Sequence, residues 1–334
     1  MKFMDFCAGI GGGRLGLETF GLECVAYSEI DEAATNTYKL FFGDKEENYG
    51  DLMVINPNNL PDFDIMIAGF PCQSFSIVGQ RKGLEDLRGQ VIYGLVKIMR
   101  AKNIKYFILE NVKGLVNHNK GQTISIILEE LDAAGYQVEW KVLDSQFYGV
   151  PQMRERVYFV GIRKDLVDNK NKFTFPDGQS TLPDLKDYLV DTENKILDPY
   201  TDATFQKYLN NKYNKGKFNI EEILKEDYLV LDTRQSDLRL YRGKLPTLRA
   251  GRHGILYVKD GKLKKLSGYE ALLLQGFPKE LADKTRGQVV EGKLLSQAGN
   301  AMTVSVIKAI GLQLLKYIKG ELAMGNEDLV ALGS

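Results

Sequence analysis

The sequence is poor in the residues that build metal centres and disulfide frameworks. Cysteine occurs three times, at Cys7, Cys24 and Cys72, and histidine twice, at His118 and His253. Neither set falls at zinc-ligand spacing, which argues against a metal site. Three scattered thiols form no disulfide framework and fit a reducing cytoplasm. Net charge is absent too: 44 Lys and Arg balance 44 Asp and Glu. That excludes a histone-like polycation and leaves room for a neutral enzyme with one basic cleft. No apolar run is read as approaching a membrane span. Met1-Lys2-Phe3-Met4-Asp5 meets an acid too early for a signal peptide. A cytoplasmic chain with no membrane partner is expected.

What is present is apolar patterning. The chain has 334 residues and is 44 % hydrophobic, longer than one ordinary domain of roughly 100–200 residues. Short apolar runs predict strands at Lys2–Cys7, Cys24–Ser28, Asp64–Ala68, Tyr106–Leu109, Val138–Leu143 and Arg156–Ile162. Helices are predicted between them, at Arg14–Glu18, Asp31–Phe41, Gly89–Ala101 and Thr123–Ala133. This alternation predicts an α/β fold, Rossmann-like, with a mostly parallel twisted sheet covered on both faces. Near Phe175-Pro176-Asp177-Gly178 the texture changes. Lys, Asn, Tyr and Asp dominate to about Lys225 and periodicity fades, which predicts a second, small irregular domain. Helical patterning returns beyond Lys265, at Tyr269–Leu274 and Thr303–Ile318, and the last helix should pack back on the first domain. The expected division is 1–185, 186–264 and 265–325, with the tail after Glu321 frayed.

Two local arrangements carry chemistry. Gly69-Phe70-Pro71-Cys72-Gln73-Ser74-Phe75-Ser76 ends a buried strand and so presents a thiol at the carboxyl edge of a sheet. Pro71 fixes one backbone angle and removes a donor, giving the fixed presentation that a nucleophilic thiol needs. Taken alone, the segment reads equally well as a small buried hydrophobe in a turn. The second arrangement is the turn Gly9-Ile10-Gly11-Gly12-Gly13 between a strand and a helix, as in nucleotide sites. Glu29, at the end of the next strand, is placed to accept hydrogen bonds from ribose hydroxyls. Arg14 stands where the dinucleotide fingerprint needs its third glycine. That speaks against a nicotinamide dehydrogenase and leaves open a mononucleoside cofactor such as S-adenosylmethionine.

Four more segments come in order. Glu110-Asn111-Val112 ends a strand, and Gln152-Met153-Arg154-Glu155-Arg156 starts a later one. Pro246-Thr247-Leu248 is read as following the second domain, and Gln297-Ala298-Gly299-Asn300-Ala301 as opening the last helix. With Pro71-Cys72-Gln73, at these separations, they resemble the C5-cytosine DNA methyltransferases of restriction–modification systems. The resemblance covers nearly the whole chain except about residues 168–231. It implies that Cys72 adds to C6 of a flipped cytosine, that Glu110 contacts N3 and the exocyclic amine, and that Arg156 holds O2. Arg154 and Gln152 would support that pocket. S-adenosylmethionine would be the cofactor and S-adenosylhomocysteine the product, with no metal. Its site would comprise Cys7, Ala8, Gly9, Ile10, Gly11 and Gly12, then Glu29 with Ile30, Asp51 with Leu52, Gly69, Pro71, and Asn300 with Ala301. Asp51 would accept from the adenine amine and Leu52 pack on the ring. Two departures stand out. Cys7 replaces the family's usual phenylalanine near the adenine, which weakens stacking there. Ser267-Gly268 replaces a proline-bearing lead into the penultimate helix, a change read as structural.

The partner implied is double-stranded DNA. Gln73 and Ser76 would face it beside the nucleophile. The loop Ser76–Arg88 carries Arg81, Lys82 and Arg88 for phosphates, with Gly79, Gly83 and Gly89 as hinges. The run Arg234, Arg239, Arg242, Lys244, Arg249, Arg252 and His253 is basic, with Asp237 its only acid. It is expected to line the DNA cleft, together with Thr247, and Gln235, Ser236 and Arg252 are candidates for reading guanine. The resemblance also implies a prokaryotic or phage-encoded monomer whose methylation protects host DNA from a partner endonuclease, without a stable complex. The rival readings are a tRNA cytosine methyltransferase of related type and a catalytically silent DNA-binding regulator.

Overall fold

The computed structural model describes residues 1–70, 91–168 and 171–321. The amino-terminal part holds strands β1 (Lys2–Phe6), β2 (Glu23–Ser28), β3 (Glu47–Asn48), β4 (Ile65–Gly69), β5 (Tyr106–Val112), β6 (Tyr136–Asp144), β7 (Gln152–Met153) and β8 (Glu155–Arg163). Its helices are α1 (Gly12–Glu18), α2 (Glu32–Phe42), α3 (Val91–Lys102), α4 (Gly114–Asn117) and α5 (Gln122–Ala133). Then come β9 (Ile196–Leu197), α6 (Ala203–Leu209), α7 (Ile220–Leu224), β10 (Val230–Asp232), β11 (Arg239–Tyr241), β12 (Leu245–Pro246), β13 (Ile255–Lys259) and β14 (Lys262–Lys265). Helices α8 (Gly268–Leu273), α9 (Lys279–Lys284), α10 (Glu291–Asn300) and α11 (Val304–Ile318) finish the chain.

Seven strands form the main sheet in the order β3-β2-β1-β4-β5-β8-β6. The run from β3 to β5 is parallel; β8 is added antiparallel to β5, and β6 antiparallel to β8. The expected mostly parallel α/β sheet is therefore present. β4 shows why: Ile65, Met66, Ile67 and Ala68 have no exposed surface. Met66 and Ala68 enter one apolar cluster, Ile65 and Ile67 another, as a strand covered on both faces requires. α11 packs back on α1, as expected. A Cβ on Gly16 would stand 2.6 Å from the Ile307 side chain, so the close helix contact depends on its absence. The winding reverses between β1 and β4, and such a switch point opens a crevice at the carboxyl ends of the strands.

Several expectations need correction. β1 stops at Phe6 because Cys7 adopts a left-handed backbone, φ 50°. Residues 297–300 close α10; the last helix starts after the N-cap Thr303. α8 is followed by three more helices and is not the penultimate one; Ser267 and Glu270 form a capping box at its start. The region read as irregular holds a five-stranded antiparallel sheet, β11-β10-β13-β14-β9. It has a small core of its own, where Leu231, Leu256 and Val258 meet Phe205 and Leu209 of α6 and Ile223 of α7. Pro246 precedes two of its strands rather than following the domain. Finally, the span Glu291–Ile318 is long and apolar enough to cross a membrane by composition alone, against the expectation that no run comes close. Residues 301–303 interrupt its helix, and its apolar faces are buried in the protein.

Candidate active site

A cleft of about 680 Å³ runs along the carboxyl edge of the parallel strands, within the range of roughly 300–1,000 Å³ usual for small-molecule sites. Each strand end supplies wall. Cys7 and Gly9 follow β1, Glu29 follows β2, Asp51 follows β3, Gly69 ends β4, and Glu110 lies near the end of β5. One end is acidic, with Glu29, Asp31 and Asp51; at the other, Arg154 and Arg156 lie beside Glu110.

At the acidic end, Gly9 N–H donates to Glu29 Oε2 at 2.7 Å, and the N–H groups of Ile30 and Asp31 donate to Oε1 at 2.8 Å each. The carboxylate is thereby fixed while lone pairs remain for a ligand. Asp51 Oδ1 accepts from Met53 N–H at 2.9 Å. Ile10, Ile30, Leu52, Gly69 and Asn300 also line the cleft, Leu52 from the edge of the core. Burial, with Glu29, Asp5 and Asp51 nearby, pushes the Cys7 thiol up to about 12, so it stays protonated and inert at neutral pH. Ala8, Gly11, Gly12 and Ala301 are not among the lining residues. Ala8 packs on Tyr27 and Tyr38, and Gly12 touches the backbone of Met302 so closely that a Cβ would lie 2.3 Å from its carbonyl oxygen. Ala8, Gly11 and Gly12 shape the turn rather than the surface, and Ala301 caps α10.

At the other end, Glu110 and Arg156 meet across the β5–β8 ladder, where Val112 faces Arg156. Arg156 Nε lies 3.0 Å from Glu110 Oε1, both side chains nearly buried. Arg154 is buried and donates to the carbonyls of Leu248 and Ala301 at 3.0 Å each. Its Nε has no partner among the described residues. Burial, with Arg156 alongside, pulls its pKa down to about 9, leaving it a cation at neutral pH. Gln152 lies behind the cleft, fully buried. It donates to Leu274 O at 2.8 Å and accepts from Leu248 N–H at 3.0 Å, and Thr247 Oγ1 donates to Met153 O at 2.6 Å. With β7 paired to β12, this segment stitches the second sheet to the first. Asn111 donates to Phe70 O at 3.0 Å and Phe70 N–H to Glu110 O at 3.2 Å. The backbone entering Pro71 is thus tied to the β5 end. Pro71, Cys72, Gln73, Ser76, Arg81, Lys82 and Arg88 lie outside the described residues.

The basic run divides. The Arg234 side chain is enclosed, forms a two-pronged pair with Asp232, 2.7 and 2.8 Å, and donates to Thr247 O. Its guanidinium is committed to the fold, which corrects its assignment to DNA. Arg239 pairs with Asp237 at 3.2 Å and Arg242 with Glu226 at 2.6 Å, both on the surface. Arg249 and Arg252 are exposed and have no ion-pair partner among the described residues. Gln235, half-buried, and Ser236, exposed, follow Arg234 in sequence, and Ser236 O accepts from Asn211 and Asn214. His253 meets Ser296 Oγ at 3.1 Å.

Sequence reasoning missed Lys293 and Ser296, which line the cleft with Gln297 and Asn300. Their i, i+3, i+4, i+7 spacing marks one helical face, which is hidden when residues 297–301 are read as opening another helix. It also missed Asn48, which accepts from Glu29 N–H and Gly50 N–H, each at 3.0 Å.

A profile of the C-5 cytosine-specific DNA methylase family matches residues 1–316. The Type II methyltransferase M.BsuFI of Bacillus subtilis is 37 % identical over 320 residues, 93 % of this chain and 71 % of its own length. The Type II methyltransferase M.HhaI of Haemophilus parahaemolyticus is 32 % identical over 332 residues, 93 % of each chain. Orphan methyltransferases of Bacillus phages also match. A crystal structure of a putative DNA modification methyltransferase encoded within an Escherichia coli prophage superposes with a TM-score of 0.68 at 22 % identity, covering 96 % of this chain and 99 % of that one.

Proposed function

The chain belongs to the C-5 cytosine-specific DNA methylase family and is a DNA cytosine-5-methyltransferase, and on that premise we propose how its residues divide the work. The observation that carries the reading is the Glu110–Arg156 pair, 3.0 Å apart, in the same cleft as Glu29 and Asp51 and beside the backbone that leads into Cys72. S-adenosylmethionine fits the acidic end. Glu29 and Asp51 offer acceptors to a nucleoside, and a Cβ on Gly9 would meet nothing within 4 Å, leaving open space above the turn. When bound, the cofactor supplies the methyl group that C5 receives and is left as S-adenosylhomocysteine. Among the described residues no cluster of His, Cys, Asp or Glu could hold a metal ion, and none is invoked.

Cytosine C5 is a poor nucleophile while the 5,6 bond is intact. Cys72 thiolate adds to C6, and the π electrons of that bond become available at C5. Glu110 donates to N3 as sulfur adds, and Arg156 stabilises the charge that grows on O2. After the methyl transfer a base removes the C5 proton, the C6–S bond breaks to expel the thiolate, and N3 gives its proton back to Glu110, which restores the ring; one hard step becomes two easier ones. A base inside a duplex is out of reach of these groups, so it is flipped into the cleft. Arg249 and Arg252, with Arg81, Lys82 and Arg88, serve the phosphates, and the second sheet carries recognition. The family model and the Type II relatives, both of DNA methyltransferases, favour duplex DNA over tRNA. The enzyme acts as a monomer in a prokaryotic or phage-infected cytoplasm and protects host DNA from an endonuclease.

A duplex carrying 5-fluorocytosine at the target position cannot lose its C5 substituent as a proton. It should trap the wild-type enzyme as a denaturation-stable complex in the presence of the cofactor. Cys72→Ser should neither trap nor turn over while still binding S-adenosylhomocysteine. A turnover-competent enzyme that leaves the fluorinated duplex free would refute the covalent route.

A further inference from the structure

Glu29 and Asp51 must face one ligand, yet they sit on chain segments that the sheet barely joins. Glu29 leaves β2, and Asp51 comes after β3, a two-residue strand at the sheet edge paired only as Ala26–Glu47 and Tyr27–Asn48. So short a ladder is a weak constraint on the residues beyond it. The Asn48 side chain spans the gap. Its Oδ1 accepts from Glu29 N–H and from Gly50 N–H, both at 3.0 Å. Its Nδ2 donates to Glu29 O at 3.0 Å and to Thr35 Oγ1 in α2 at 3.3 Å. All four hydrogen-bonding positions of the carboxamide are in use. One side chain therefore ties together three parts of the acidic end: the backbone of the residue bearing the first carboxylate, the residue before the second, and the first turns of α2, alongside the backbone bond from Tyr49 N–H to Tyr27 O at 2.9 Å. Ser28 Oγ adds one more strut, to Gly50 O at 2.6 Å. Asn48 itself is half-buried and does not line the cleft.

We propose that Asn48 is a positioning residue for the cofactor, fixing the spacing of the Glu29 and Asp51 carboxylates so that both engage one nucleoside. This rests on the assignment of these two carboxylates to the cofactor. The bracket contacts nothing at the Glu110–Arg156 end, so it acts on cofactor affinity and leaves the chemical step and DNA binding alone.

The test measures S-adenosylhomocysteine binding by calorimetry without DNA, and kcat with both KM values, on the full chain. Asn48→Ala should raise the S-adenosylhomocysteine Kd and the cofactor KM roughly tenfold, with kcat within about twofold of wild type and KM for DNA unchanged. Asn48→Asp keeps the two acceptor bonds and loses both donors, so its cofactor KM should fall between. An Asn48→Ala enzyme with wild-type cofactor affinity overturns the proposal, and so does one whose cofactor and DNA constants worsen together. If Asn48→Ala does not fold, Asn48→Asp decides: an unchanged cofactor KM overturns, a selective rise supports. Glu29→Gln and Asp51→Asn separate the two levels. If both bind S-adenosylhomocysteine like wild type, the assignment of the carboxylates fails; if both bind weakly and Asn48→Ala binds normally, only the bracket fails.

Discussion

Arg234 and Arg249 lie fifteen positions apart in one basic run, and their surroundings give them opposite tasks. Arg234 is enclosed with Asp232, side-chain exposures 4 % and 6 %. Burial works to raise the Asp232 pKa, but its pairing with Arg234 prevails and holds the carboxyl below its usual range. Removing one partner of a buried pair leaves the other charge uncompensated, a loss of about 3–5 kcal/mol. Arg234→Ala should therefore lower the melting temperature steeply, yet leave the salt dependence of DNA binding unchanged in whatever protein remains folded. Arg249→Ala with Arg252→Ala should do the reverse: normal melting, and a log–log salt slope reduced by about one per lost phosphate contact. Melting curves and salt titrations on the two variants decide it. The basic run was legible as charge; the partner of Arg234 was not, because Asp232 lies just outside the run.

At the scale of elements, α10 carries two glycines with different obligations. A Cβ at Gly299 would stand 2.5 Å from Ala250 N and 2.6 Å from Arg249 C. Both are backbone atoms of the strand-to-strand connection that presents Arg249. A Cβ at Gly292 would meet nothing within 4 Å. Gly299→Ala should cost about 1–3 kcal/mol by overpacking and weaken DNA binding by displacing Arg249. Gly292→Ala should be neutral or stabilise by up to about 1 kcal/mol. Denaturant unfolding of the pair checks the contrast, and equal effects would refute it. The same contrast explains what the sequence disclosed. Long apolar runs such as residues 65–68 and 106–109 announce their strands, because burial on both faces requires continuous hydrophobicity. β9 and β10 have two and three residues, too few to display a period, and β9 finds its partner β14 more than sixty positions away. Glu29, Asp51, Glu110 and Arg156 were legible through motifs. Asn48 was not, since Glu29 and Thr35 become its neighbours only when β2, β3 and α2 meet.

Across the whole molecule, the two sheets are joined by buried polar struts as well as by shared apolar packing. Gln152 and Arg154 form that seam, and Glu270 of α8 anchors the second sheet to the closing helices. Glu270, without exposed surface, accepts from Tyr257 O–H of the second sheet at 2.7 Å, from Asp191 N–H at 3.1 Å and from Ser267 N–H at 3.2 Å. Burial pushes its pKa up to about 7, and these three donors limit the rise. An unfolded glutamate titrates near 4.3. Between those values the folded chain binds the proton that the unfolded chain has released, so stability falls as pH rises through the interval. Below it the contribution is fully present; above about 7 it is gone. Glu270→Gln keeps the shape, removes the titration and gives up one acceptor. The stability of wild type relative to Glu270→Gln should therefore be greater at pH 5 than at pH 8, by an amount on the order of 2–3 kcal/mol. Urea unfolding of both proteins at the two pH values measures that difference, and other titrating groups cancel in it. A gap that stays constant with pH would mean that the three donors keep Glu270 ionised throughout, and that the anchorage of the second sheet to α8 is insensitive to protons.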